Sequence, residues 1–265
     1  TGCEGPKTTI TVTVSGTPSA PTVSDVSYCK DDVSTALTAT ASSGNTLVWY
    51  DANQSELTSG APTPSTASVG TTTYYVAQQT ASGCEGSKST ITVTVNALPV
   101  APSSTSSIEY CKDATATALT ATASGGHTLV WYGTDGTTVL SGAPTPSTGS
   151  VGSTNYYVAQ QNTTTGCEGA KTTITVTVNA LPVAPTATTT VDYCQDATAT
   201  ALTATASSGH TLVWYGTDGT TVLSGAPVPP TSTAGSTNYY VAQENTLTGC
   251  EGPKTTITVT VSGTP

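Results

Sequence analysis

A chain that repeats one motif series at near-constant intervals has little freedom of architecture, because each copy must fold as one unit and bury its own apolar residues. Tyr28-Cys29, Tyr110-Cys111 and Tyr193-Cys194 open the same pattern three times, at spacings of 82 and 83. A second motif, Gly-Cys-Glu-Gly, places Cys3, Cys84, Cys167 and Cys250 at spacings of 81, 83 and 83. Residues 1–18 are identical to residues 248–265, so the three copies themselves form a longer period. On this reading residues 1–17 are the last strand of a preceding copy, and the copies proper span 18–98, 99–181 and 182–265. The chain is then a fragment of a longer protein, with its targeting signals outside this window.

Within a copy the hydrophobic pattern has the period of a strand. Ile91, Val93 and Val95 alternate with Thr92 and Thr94, which gives one dry and one wet face. Leu37-Thr38-Ala39-Thr40-Ala41 alternates as well, while Thr46-Leu47-Val48-Trp49-Tyr50 and Thr73-Tyr74-Tyr75-Val76 are short buried runs. Asp135-Gly136 and Asp218-Gly219 stand where a tight hairpin turn prefers Asp-Gly. With the weaker segments around Val23–Tyr28 and Thr138–Leu140, each copy has about seven strands, the number of an immunoglobulin-like Greek-key sandwich. The fold class is therefore all-β: tandem sandwiches joined by Pro-bearing linkers such as Asn96-Ala97-Leu98-Pro99-Val100-Ala101-Pro102. Such linkers are extended and semi-stiff, which predicts a rod of roughly 120 Å.

Composition excludes several partners. Sixteen acidic residues face six lysines, for a net charge of −10, so nucleic acid and anionic membrane surfaces are not targets. No run approaches the ~20 apolar residues that span a bilayer. Seven cysteines without a methionine, in fixed contexts rather than C-x-x-C pairs, point to disulfides in an oxidising compartment. The expected pairing is within each copy: Cys29 with Cys84, Cys111 with Cys167 and Cys194 with Cys250, each worth ~4 kcal/mol by loop closure. Cys3 is left unpaired in this window.

Other residues are weighed copy by copy. Trp49, Trp131 and Trp214, each at the same distance after the first cysteine of its copy, are expected core fillers rather than sugar-stacking platforms. The pairs Tyr74-Tyr75, Tyr156-Tyr157 and Tyr239-Tyr240 should bury one ring and expose the other. His127 and His210 replace Asn45, so no histidine is shared by all copies as a catalytic base. Asp31 with Glu85, Asp113 with Glu168 and Asp196 with Glu251 would gather at one pole of each copy if the intra-copy bridges form. That makes them candidate Ca²⁺ ligands at the joints, although no D-x-D-x-D-G loop is present and a solvated acidic pole is the preferred reading. No cofactor is otherwise implied. Lys88, Lys171 and Lys254 raise the idea of isopeptide clasps, which disulfides would make redundant; the sequons at Asn53 and Asn162 are weak matches.

The ordered series Tyr110-Cys111, Leu129-Val130-Trp131-Tyr132, Ala143-Pro144-Thr145-Pro146, Tyr156-Tyr157-Val158-Ala159-Gln160, Gly166-Cys167-Glu168 and Ile174-Thr175-Val176-Thr177-Val178 resembles the Ig-like repeats of giant surface proteins of Bacteroidota. Such proteins are commonly exported by the type IX system and often end in gliding-motility-associated or sorting domains. The resemblance implies a secreted or cell-surface location. It also implies a structural or adhesive role as a stalk or filament, with neighbouring repeats, identical chains in a fibre, or a surface or glycan ligand as partners. The alternative is a carbohydrate-binding or accessory module of a secreted glycosidase. An enzyme is not expected, since no nucleophile-base set, carboxylate pair or metal cluster recurs in the copies.

Overall fold

The computed structural model describes residues 2–263, and every regular element among them is a β-strand. The first repeat contains β1 (Thr22–Val23), β2 (Val26–Cys29), β3 (Ala39–Thr40), β4 (Thr46–Tyr50), β5 (Glu56–Leu57), β6 (Gly70–Gln79) and β7 (Ser89–Asn96). The second contains β8 (Ser103–Ser104), β9 (Ser107–Cys111), β10 (Ala121–Thr122), β11 (His127–Tyr132), β12 (Gly152–Asn162) and β13 (Thr172–Asn179). The third contains β14 (Thr186–Ala187), β15 (Thr190–Cys194), β16 (Ala204–Thr205), β17 (His210–Tyr215), β18 (Val222–Leu223), β19 (Gly235–Asn245) and β20 (Thr255–Ser262).

In each repeat a large sheet faces a two-stranded one. The first repeat orders its large sheet β2-β7-β6-β4-β5 against β1-β3, and the third orders it β15-β20-β19-β17-β18 against β14-β16. The second has β11-β12-β13-β9 against β8-β10, with the hairpin partner of β11 reduced to the bridge Tyr132–Val139. All pairings run antiparallel except one per repeat: the strand ending in the first cysteine lies parallel to the last strand, as in Val26↔Val93 to Cys29↔Asn96. That single parallel pair closes the sandwich and decides where the cysteines lie.

Alternation buries the expected face. Ile91, Val93 and Val95 are 0, 1 and 5 % exposed, and they meet Leu37, Trp49 and Val76 in one core; the other repeats repeat this cluster with Leu119, Trp131 and Val158, and with Leu202, Trp214 and Val241. The hairpin after each tryptophan strand turns on a side chain. Asp135 Oδ1 accepts hydrogen bonds from the backbone N–H of Thr137 and Thr138, and Gly136 takes the left-handed conformation (φ 69°) that the turn needs.

Residues 2–20 form no strand, and Ile10, Val12 and Val14 are 84, 81 and 90 % exposed. The same sequence as β20 is a buried strand, so it is the neighbouring sheet that makes these residues a strand.

By contact the chain divides into two compact units. One comprises Thr1–Ala101, Ser124–Thr128 and Gln160–Ala170; the other comprises Pro102–Ala123, Leu129–Ala159 and Lys171–Pro265. The first thus joins the whole first repeat to two loop segments of the second.

Candidate functional site at the repeat joint

Each repeat has a leading pole, where the linker arrives, and a trailing pole, where the last strand leaves. The Gly-Cys-Glu-Gly loop builds the leading pole, and each of its four residues has a separate job. Gly83, Gly166 and Gly249 hold φ of 84°, 73° and 68°, a turn that other L-residues adopt at a cost. The cysteine follows. The glutamate pairs back to β6 or its equivalent (Gln79↔Glu85, Gln161↔Glu168, Glu244↔Glu251). In the first and third repeats it also accepts the hydroxyl proton of the tyrosine that ends the tryptophan strand, at 2.6 Å for Tyr50–Glu85 and closer for Tyr215–Glu251. The last glycine admits the linker: a Cβ on Gly86, Gly169 or Gly252 would lie 2.1, 2.2 or 2.3 Å from the carbonyl oxygen of Pro18, Pro99 or Pro182.

A buried glutamine completes the grip. Gln78, Gln160 and Gln243 are 0 % exposed. The Gln160 amide nitrogen donates to the linker carbonyl of Val100 at 2.7 Å while its oxygen accepts from the backbone N–H of Ser124 at 2.7 Å; Gln243 does the same with Val183 and Ser207. Gln78 holds Ser19 and Ser42 in the first repeat. The signal was present in the sequence: two positions on from Val76 and four from Tyr74, Gln78 shares their inward face.

At the trailing pole, Cys29 stands opposite Asn96, the last residue of β7. Lys30 then donates its N–H to the Asn96 carbonyl, and Asp31 turns the chain with φ 67°. Cys84, by contrast, precedes the start of β7. Eight residues of strand separate the two positions, roughly 25 Å at strand rise.

The expected pairing of Cys29 with Cys84, Cys111 with Cys167 and Cys194 with Cys250 is therefore corrected. Disulfides join Cys29 to Cys167 and Cys111 to Cys250, with Cα atoms 5.5 Å apart in both. The trailing cysteine of one repeat is bonded to the leading cysteine of the next, across the joint. Cys3, Cys84 and Cys194 carry no disulfide among the described residues.

The family described as Ig-like domain CHU_C associated matches residues 18–97, 99–180 and 182–263. The chain belongs to this family. Solved structures similar to these Ig-like repeats include the titin I-band fragment I67–I69, at 14 % identity and TM-score 0.36, covering 92 % of this chain and 97 % of that one. The first three domains of the bacteriophage RB49 outer capsid protein Hoc share 13 % identity at TM-score 0.37, over 87 % and 93 %. The Clostridium thermocellum CbhA fibronectin(III)-like modules share 17 % at TM-score 0.36, over 60 % and 91 %. No curated protein matches the chain.

The Ig-like repeats place the remaining residues as follows. Trp49, Trp131 and Trp214 are 5–6 % exposed and lie in the three cores. The tyrosine pairs depart from one-buried, one-exposed: Tyr75, Tyr157 and Tyr240 are half-buried, and the rings of Tyr157 and Tyr240 cover Gly136 and Gly219 of the hairpin turns. Lys88, Lys171 and Lys254 rest 3.3, 3.6 and 3.5 Å above the rings of Tyr50, Tyr132 and Tyr215, and Lys171 and Lys254 donate to the carbonyls of Gly136 and Gly219. They pack as cations on the tyrosine faces. His127 and His210 start β11 and β17 and bond neighbouring loop carbonyls.

The acid pairs do not gather at one pole of a repeat, for the same reason the cysteines do not. Asp31, Asp113 and Asp196 follow the trailing cysteine, whereas Glu85, Glu168 and Glu251 follow the leading one at the other end. Asp31 and Asp113 pair with the adjacent Lys30 and Lys112 at 2.7 and 2.5 Å. No group of three or more His, Cys, Asp or Glu side chains is arranged to hold a metal ion among the described residues.

Electrostatics sharpen the leading pole. Burial, then the hydrogen bond to Glu251 and the charges of Glu251 and Glu244, push the Tyr215 hydroxyl up to about 12. Burial, Glu85 and Glu56 move Tyr50 in the same direction. At the hairpins, hydrogen bonds from Thr138 and Thr137, and from Thr221 and Thr220, hold Asp135 and Asp218 far below the usual carboxylate range.

Proposed function

We propose that this chain is a tension-bearing stalk or fibre segment of a long secreted or cell-surface protein of a Bacteroidota bacterium, without catalytic activity of its own. The observation that carries this reading is the staggered disulfide pattern. An ordinary bridge within a domain protects that domain, whereas a bridge from each repeat to the next shortens the covalent path through the whole array. From Cys29 the bond leads directly to Cys167, and only the short stretch from Cys167 to Cys194 then remains. The backbone alone must run the whole way from Cys29 to Cys194. Fully extended, these two routes are roughly 90 and 560 Å. Even with every core unravelled, the stretch from Cys29 to Cys194 cannot extend beyond roughly 90 Å while the bridge is intact.

The disulfides also support an oxidising, extracellular setting, and no described helix is long and apolar enough to cross a membrane. The indoles are sealed in the cores, which leaves a sugar-binding role without its usual stacking platform.

Pulling single molecules from handles at Pro18 and Gly263 tests the reading. The oxidised chain should reach about a third of the contour length of the reduced chain, because the shortest covalent path is cut by that factor. Equal contour lengths under the two conditions would sink it.

A further inference from the structure

Taking the chain as a stalk, we infer that its crossed disulfides guard it against extracellular endopeptidases, because no single backbone cut between Cys29 and Cys250 can divide it. The bond from Cys29 to Cys167 spans the first linker, and the bond from Cys111 to Cys250 spans the second. The two loops overlap from Cys111 to Cys167, so the middle repeat lies inside both. A cut before Cys111 leaves its ends joined through Cys29–Cys167, and a cut after Cys167 leaves them joined through Cys111–Cys250. Bridges within each repeat would act differently. They would leave the stretches Cys84 to Cys111 and Cys167 to Cys194 unspanned, and one cut in a linker would part the array.

The vulnerable places fall inside the guarded span. Residues 97–102 and 180–185 form no strand, and they expose Val100 and Val183 to 73 and 71 %. Exposed, strandless segments of this kind are where endopeptidases nick a folded chain. Val33 and Leu247, each 94 % exposed, also stand outside the strands. Apart from Ile10, Val12 and Val14, every large apolar side chain that is exposed among the described residues lies between Cys29 and Cys250.

Cut ends would also stay in place. Downstream of Leu98, the Pro99 carbonyl oxygen seats against Gly169, and the buried Gln160 amide holds the Val100 carbonyl at 2.7 Å. Gly252 and Gln243 hold Pro182 and Val183 in the same way. Upstream, the Asn96 and Asn179 carbonyls accept from the backbone N–H of Lys30 and Lys112 at 2.9 and 2.8 Å. A cut between Ala97 and Leu98, or between Ala180 and Leu181, therefore leaves an anchored residue on either side.

The limit of extension is unchanged as well. The shortest covalent route from Pro18 to Gly263 runs to Cys29, across to Cys167, back to Cys111, across to Cys250 and on to Gly263. Neither linker lies on it.

The test inserts the recognition sequence of a site-specific endopeptidase into the full chain, between Ala97 and Leu98 or between Ala180 and Leu181, and alkylates the free thiols before digestion. Hydrolysis adds one water across the peptide bond and breaks no sulfur–sulfur bond. In denaturant without reductant, the cut chain should keep the mass of the whole chain plus one water; with reductant it should separate into two pieces. Pulled from Pro18 and Gly263, the oxidised cut chain should reach the same contour length as the uncut one. Cys29→Ser with Cys167→Ser should part at the first site and hold at the second, and Cys111→Ser with Cys250→Ser should do the reverse. An unreduced parent that parts at either site, or variants that respond alike to both cuts, overturns the inference. A parent that is short under force when intact yet parts at one cut would overturn it and leave the stalk reading standing, whereas equal oxidised and reduced contour lengths sink that reading too.

Discussion

Cys29 stands in register with Asn96, at the end of β7 farthest from Cys84. The parallel pairing of β2 with β7 fixes this separation, and no loop movement can close roughly 25 Å to the reach of a disulfide. Proteolysis of the unreduced chain followed by mass spectrometry should therefore yield peptides joined Cys29–Cys167 and Cys111–Cys250. Recovery of a Cys29–Cys84 peptide would contradict the fold as described.

Because the bridges cross joints, their removal should loosen joints before cores. Each closes a loop of 138 or 139 residues, worth ~4–5 kcal/mol by chain entropy. In Cys29→Ser, the linker from Ala97 to Ala101 should become susceptible to protease, while the buried Trp49 keeps its native emission. A red-shifted Trp49 at the temperature where the parent is native would mean that the bridge supports the core itself.

Much of the fold was legible in the residues, and the reason is periodicity. Ile91, Val93 and Val95 alternate because one face of β7 is dry, and Asp135-Gly136 marks the hairpin after β11 by local chemistry alone. The bridge partners were not legible in spacing. Cys29 and Cys84 share a repeat, yet which pole each occupies depends on whether β2 runs parallel or antiparallel to β7, and the alternation of side chains is the same in either case. The acid pairs failed for that same reason. Segment 2–17 shows the limit from the other side: its sequence is that of β20, and without a sheet beside it, it is not a strand.

In the three repeats, the second glycine of the Gly-Cys-Glu-Gly loop, at Gly86, Gly169 and Gly252, should resist a side chain. A Cβ on Gly169 would sit 2.2 Å from the Pro99 carbonyl oxygen, and a backbone atom cannot swing away as a side chain would. Gly169→Ala should cost about 1–3 kcal/mol in denaturant unfolding, against a near-neutral Gly142→Ala, where nothing lies within 4 Å. Equal effects at the two sites would show that the linker does not dock there.

Gln160 should be worth more than a core glutamine at first suggests. Gln160→Ala leaves the Ser124 N–H and the Val100 carbonyl without their partner, and abandoned buried polar groups cost about 1–3 kcal/mol. Urea unfolding should register a loss of about 3 kcal/mol. A loss below about 0.5 kcal/mol, the scale of a surface change, would mean that water replaces the side chain.

Alkaline pH should attack the leading pole selectively. Tyr215 has its hydroxyl pushed up to about 12 by burial, by the hydrogen bond to Glu251 and by the charges of Glu251 and Glu244, and Tyr50 is raised by burial, Glu85 and Glu56. For a group whose folded value lies above its unfolded value of about 10, the stabilisation is complete below 10 and is lost as pH rises through the folded value. The neutral hydroxyl is a donor to a carboxylate; once ionised, it faces that carboxylate as a like charge. Tyrosinate absorbance and circular dichroism, followed together, should show a late ionisation that coincides with loss of the sheets. The last tyrosines should ionise only as the sheets melt, toward pH 12. In Glu251→Gln, the charge is gone while an acceptor remains, so the late step should move to lower pH. All twelve tyrosines ionising in one step near 10 with the sheets retained would show that Tyr50 and Tyr215 are not held as described.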